Sequence, residues 1–138
     1  MTPIRGFDSE QTTSNMRELM GFEIVSMRDG ESEVHFTMGE MWMNMQGVLH
    51  GGAYASMLDT ACGVAARSVL DMEVYSGQVT LELKTSYLKA GYPGKYVAKG
   101  RLLRKGKRVS YAEASLFNEA GDLVSRASAT FSLLKRDA

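Results

Sequence analysis

One long helical pattern stands in this chain, over residues 53–70, and from residue 79 onward the pattern alternates with period two. That division constrains the fold more than any other feature. Within the helical stretch Met57, Ala61, Ala65 and Val69 recur every four residues and would form one stripe. Ala53, Ala55, Ser56, Ala61, Gly63, Ala65 and Ala66 are small, and small residues let a helix sit close to whatever wraps it. After it, Val79, Leu81 and Leu83 alternate with Thr80, Glu82 and Lys84. A turn over 90–94 follows, then strands near 96–103, 109–118 and 123–134. The connections 104–107 and 119–122 have hairpin chemistry. Before the long helix, residues 9–20 read as a short helix capped by Asp8 or Ser9 and stopped by Gly21. Two strands, 22–27 and 32–38, flank the turn Arg28-Asp29-Gly30-Glu31, and 39–49 reads as an ordered loop. Strands joined in sequence by hairpin turns imply an antiparallel sheet, and one apolar helix must lie against one of its faces. The expected class is α+β, in a single domain over residues 1–138.

The bulk numbers exclude several classes of function. Sixteen basic residues balance sixteen acidic ones, so no bulk attraction to nucleic acid or membrane is expected. No run approaches the roughly 20 apolar residues of a membrane span. The segment MTPIRGFDSEQ has no apolar centre of the signal-peptide kind. The single Cys62 rules out an internal disulfide and makes a cysteine metal site improbable. A cytoplasmic location, no metal and no cofactor are expected.

The long helix begins with His50-Gly51-Gly52 and carries one carboxylate, Asp59, nine residues after the histidine. Asn44 precedes it, and the strand Val79-Thr80-Leu81-Glu82-Leu83-Lys84-Thr85-Ser86-Tyr87 follows. With this order of elements, nearly the whole chain resembles the PaaI-type acyl-CoA thioesterases of the hotdog fold, in which a sheet wraps a central helix. The resemblance implies hydrolysis of an acyl- or aryl-CoA thioester, with coenzyme A a part of the substrate. It also implies roles. Asp59 matches the catalytic carboxylate, acting as general base or nucleophile. Asn44 matches an amide that orients thioester or water, and His50 a histidine near the thioester. Gly51 matches the oxyanion glycine, and Thr80 falls where relatives hold the water with Ser or Thr.

Elementary chemistry supports part of this assignment. A helix start presents unpaired N–H groups and the positive end of a dipole, so it can hold a carbonyl oxygen that is gaining charge. The N–H of Gly51, or of Gly52, is the natural donor, and glycine leaves the approach clear. Asp59 lies eight residues beyond Gly51, about 12 Å along a helix at the standard rise, so one thioester carbon cannot touch both. If both act, Asp59 comes from a second chain, across a two-fold axis that sets two such helices antiparallel. A homodimer is therefore expected; a dimer of dimers is expected as well, but the distance speaks only for the dimer.

Other positions carry two readings. Trp42 and the methionines around it are either core or the lining of an acyl pocket. The cluster Arg104-Lys105-Gly106-Lys107-Arg108 is either a solvated hairpin or a contact for the phosphates of coenzyme A through Arg104, Lys105 and Arg108. Cys62 reads as a small buried residue and His35 as an exposed one. Two alternatives stand beside hydrolysis: a hotdog hydratase, whose Asp and His are spaced differently, and a non-catalytic acyl-thioester binding protein, which has no need of Asp59.

Overall fold

A computed structural model describes residues 15–137. The elements run α1 (Asn15–Met20), β1 (Glu23–Arg28), β2 (Glu31–Met38), a single 3-10 turn (Glu40–Trp42), α2 (Gly51–Arg67), β3 (Tyr75–Tyr87), β4 (Gly94–Lys105), β5 (Val109–Phe117) and β6 (Leu123–Lys135). The N-terminal cap expected at Asp8 or Ser9 lies outside the described residues. Gly21 ends α1 as the sequence suggests, with a φ of 64°. The long helix starts at Gly51 and ends at Arg67, where Ser68 turns its hydroxyl back onto the Ala65 carbonyl. Val69 therefore falls outside the helix it was expected to extend.

All six strands join in one antiparallel sheet of order β1-β2-β4-β5-β6-β3. The β1–β2 hairpin turns on Asp29 and Gly30, both at positive φ (55° and 79°), which is the pair that a two-residue primed turn demands. The inner face of the sheet wraps α2, which touches every strand. On β2 the alternation is that of the sequence: Val34, Phe36 and Met38 are buried, and His35 turns outward to Glu33 at 2.7 Å.

Helix and sheet meet on small residues. Ala61, Cys62, Ala65 and Ala66 of α2 are buried, and the sheet offers Ala98, Ala112, Ala114 and Ala127 to the same core. Gly100 marks the closest approach. A side chain there would run into the Ala61 carbonyl, which instead accepts a hydrogen bond from the Ser32 hydroxyl at 2.7 Å. The many small residues of the helical stretch are thus explained by a sheet that curls tightly around it.

Strand β3 departs from simple alternation. Its pairing with β6 shifts between Thr80 and Glu82, so Leu81 bulges and the inward phase changes from even to odd positions. Val79 and Leu81 are 49% and 62% exposed, and only Leu83 of that trio packs on the core. A period-two pattern cannot reveal a bulge, and β3 is an edge strand with one side unpaired.

Candidate active site

The first turn of α2 explains the His-Gly-Gly sequence. His50 is the N-cap: its backbone is extended, and its Nδ1 accepts a hydrogen bond from the Gly52 N–H at 2.8 Å. A Cβ on residue 52 would lie 3.0 Å from that Nδ1, so glycine there makes room for the capping ring. The His50 carbonyl accepts from the Ala53 and Tyr54 N–H groups. The Gly51 N–H is left without an acceptor among the described residues. The other side of the first turn is held by Tyr87 at the end of β3, whose hydroxyl donates to the Gly51 carbonyl at 3.1 Å. One donor at the positive end of a 17-residue helix is therefore both open and fixed in direction.

Because Nδ1 is the acceptor, a neutral His50 carries its proton on Nε2, which points away from the cap. Loss of the cap should be visible in stability. His50→Ala is expected to cost on the order of 1 kcal/mol, and His50→Asn to retain most of it, as read from urea unfolding midpoints.

Asn44 sits in the loop that leads to His50. Its Oδ1 accepts from the Gln46 and Val48 N–H groups at 2.9 and 3.3 Å, and its N–H donates to the Val48 carbonyl at 2.7 Å. The side chain thus shapes its own loop, and only its Nδ2 is left for a ligand. The loop is anchored to the helix start by the His50 N–H, which donates to the Trp42 carbonyl at 2.9 Å. Trp42 itself is half-buried and packs against the core.

Asp59 lies on the side of α2 that the core does not cover, with Ala55, Ser56, Thr60 and Gly63 as its small neighbours on that side. The Thr80 hydroxyl of β3 donates to its Oδ1 at 2.8 Å. That is its one hydrogen bond among the described residues. Burial raises the carboxyl above its usual range, and the Thr80 hydrogen bond only partly offsets this. Asp59 and Thr80 are brought together; Asp59 and Gly51 are not, being eight residues, or about 12 Å, apart on one helix. Cys62 is fully buried, and burial pushes its thiol up to about 12, so it is no nucleophile.

Arg104 and Lys105 lie at the other end of α2. With Gly106 and Lys107 they line a depression of about 550 Å³ that also takes in Asp71, Val74 and Tyr75, just beyond the helix C-terminus. Arg108 follows, its carbonyl accepting from the Leu133 N–H at 2.8 Å. No ion pair engages Arg104, Lys105 or Arg108 among the described residues.

Two residues of the helix start had no signal in the sequence. Tyr54 and Tyr87 meet edge to face at 5.2 Å between ring centres and flank Gly51. They are 33 positions apart, and no periodicity links them.

Comparison with known proteins accords with this architecture. The sequence profile of the thioesterase superfamily matches residues 46–125. The medium/long-chain acyl-CoA thioesterase YigI of Salmonella typhimurium is 28% identical over 125 residues, which cover 81% of each chain. The solved structure of the conserved protein PA5202 from Pseudomonas aeruginosa superposes with a TM-score of 0.82 at 35% identity, over 91% of this chain and 98% of that one. The PaaI protein of the Escherichia coli phenylacetic acid degradation operon superposes with a TM-score of 0.81 over 91% of this chain and 88% of its own, at 20% identity. At that identity the last likeness is one of fold, the hotdog fold.

Proposed function

The chain belongs to the thioesterase superfamily and is a thioester hydrolase, and from that premise we propose that it cleaves acyl-CoA thioesters at sites completed by a second copy of the chain. Membership leaves the hydratase and the non-catalytic binding protein without support. The observation that carries the reading is the pairing of a half-buried Asp59 with Thr80, eight residues from the open Gly51 N–H. A carboxylate on a helix otherwise built for burial is costly, and its raised proton affinity suits a general base. The YigI relative, named for acyl-CoA hydrolysis, supports coenzyme A as the thiol.

In this reading the thioester carbonyl oxygen accepts from Gly51, with the Nδ2 of Asn44 and the Nε2 of His50 beside it. The Thr80 hydroxyl donates a hydrogen bond to Asp59, keeping its own proton, and offers its lone pairs to the attacking water. Asp59 takes a proton from that water as its oxygen joins the carbonyl carbon. Charge collects on the oxygen at Gly51, the C–S bond then breaks, and the proton on Asp59 passes to the departing thiolate. These steps draw on the side chains, the backbone N–H of this chain and one water.

Separation on one helix requires two chains. Edge strand β3 supports this: its outer side is unpaired, and Val79 and Leu81 are exposed on it. Two β3 edges set antiparallel would continue the sheet across a two-fold axis, beside the small-residue side of α2. Gly51 of one chain then faces Asp59 of the other. Val109 and Tyr111, exposed on β5, offer a separate apolar surface for pairing dimers.

The same antiparallel arrangement carries the basic hairpin of the chain that supplies Asp59 toward the other chain's Gly51. Arg104, Lys105 and Arg108 thereby suit the phosphates of the substrate. The test is turnover over a panel of acyl-CoA thioesters and the matching N-acetylcysteamine thioesters, which lack the nucleotide. The double variant Arg104→Ala, Arg108→Ala is expected to raise KM about tenfold on CoA thioesters and to leave the short thioesters unchanged. Equal effects on both would remove the hairpin from the site, and no turnover by the wild type on any CoA thioester would overturn the substrate class.

A further inference from the structure

A shallow, open cleft of about 400 Å³ lies directly beside Gly51, lined by Leu49, Tyr54, Tyr87, Leu88, Lys89 and Ala90. Its volume lies in the lower part of the roughly 300–1,000 Å³ range of small-molecule sites. Its walls are apolar chains and aromatic rings. The cation at its edge is already spent, since the Lys89 ammonium pairs with Asp122 at 2.7 Å. The polar atoms are spent as donors too: the Tyr54 hydroxyl donates to the Lys89 carbonyl at 2.7 Å and the Tyr87 hydroxyl to the Gly51 carbonyl. Apart from the Gly51 N–H, which the carbonyl oxygen takes, what remains offers little to a charged acyl group and much to an uncharged apolar one.

We propose that this cleft is the acyl subsite, that it takes an uncharged apolar acyl group, and that Tyr87 sets how large that group can be. The inference rests on the thioesterase reading, since it is the carbonyl at Gly51 that hangs the acyl group into this cleft. Tyr87 has the two properties that a size-setting residue needs. Its ring is held in place, edge-on to Tyr54 and tied through its hydroxyl to the helix start. It also stands close to the carbonyl position, because a Cβ built on Gly51 would lie 3.4 Å from its hydroxyl oxygen. At 54% exposure it bears little of the core, so its size can change without unmaking the fold. The acyl group is thus assigned to the cleft at Tyr87, not to Trp42, which is half-buried and packs against the core.

Two substitutions of opposite sense test this. Tyr87→Ala enlarges the cleft and Tyr87→Trp fills it. The measurement is the ratio of kcat/KM for a long-chain to a short-chain acyl-CoA, in each variant and in the wild type. Tyr87→Ala is expected to raise the ratio about tenfold and Tyr87→Trp to lower it by a similar factor, the scale on which pocket size discriminates between apolar groups. A merely structural Tyr87 would depress both substrates alike and leave the ratio unchanged. An unchanged ratio in either folded variant, with an active wild type, overturns the acyl subsite and leaves the thioesterase reading standing. A wild type that hydrolyses none of the acyl-CoA thioesters overturns both.

Discussion

Asp59→Asn should lower turnover on the best acyl-CoA substrate by at least about 10²-fold, the low end for a positioned base, while leaving the fold intact. The substitution is nearly isosteric, and the amide oxygen still accepts from the Thr80 hydroxyl that now donates to Asp59. The loss therefore isolates the carboxylate's chemistry. A second measurement separates this from general damage. Burial holds the folded-state pKa of Asp59 above its unfolded value, so the folded chain binds the proton more readily than the unfolded one. Below the unfolded pKa of about 3.9 both states are protonated and burial of charge costs nothing. As pH rises through the raised folded value, the charge must be held in a poorly solvated place, and stability is lost. At neutral pH the melting temperature of Asp59→Asn should thus equal or exceed that of the wild type, with the gap closing on acidification. In the wild type, kcat/KM should fall as pH drops through the same raised pKa, because the base is then protonated. Near-wild-type turnover in Asp59→Asn would remove this residue from the chemistry. A lower melting temperature at pH 7 would mean that its charge stabilises the fold instead.

Mixing two inactive chains should restore activity. Asp59→Ala leaves the helix start untouched. Gly51→Val leaves the acid untouched but sets a branched side chain where a Cβ alone would already contact the Tyr87 hydroxyl at 3.4 Å. Each variant refolded by itself should be nearly silent. Refolded together, about half of the dimers should be mixed if association is random, and each mixed dimer holds one complete site of two. Up to roughly a quarter of wild-type turnover should return. The comparison is the mixture against each variant refolded alone, with mixed dimers counted by differential tagging. Mixed dimers without recovered turnover would mean that Gly51 and Asp59 do not share a site between chains. The physical basis is distance: about 12 Å of helix separates two groups that the proposed mechanism sets on one carbon.

Much of this molecule is local, and what is local was legible. The alternation of Val34, Phe36 and Met38 dictates a strand with one buried face, because side chains in a strand point to alternate sides. Asp29-Gly30 dictates the hairpin, because both positions take positive φ. The small residues of α2 announce a helix to be closely wrapped, and His-Gly-Gly followed by an acid announces the thioesterase family to which the chain belongs. The last rests on resemblance to a known family, and the first three on chain geometry within a few residues. Strand order does not. Strand β3 directly follows the helix, yet it pairs with β6 and forms an edge, a choice made by packing among strands far apart in sequence. The exposure of Val79 and Leu81 depends on that edge and on a bulge that shifts phase at Leu81, where the sequence only continues its alternation. The partners of the site are equally non-local. Thr80 reaches Asp59 across 21 positions, and Tyr87 reaches Gly51 across 36. A sequence fixes which side of an element a residue occupies, because that follows from its own φ and ψ. Which other element covers that side depends on the lowest free energy of the whole packed sheet, and only the tertiary structure decides it.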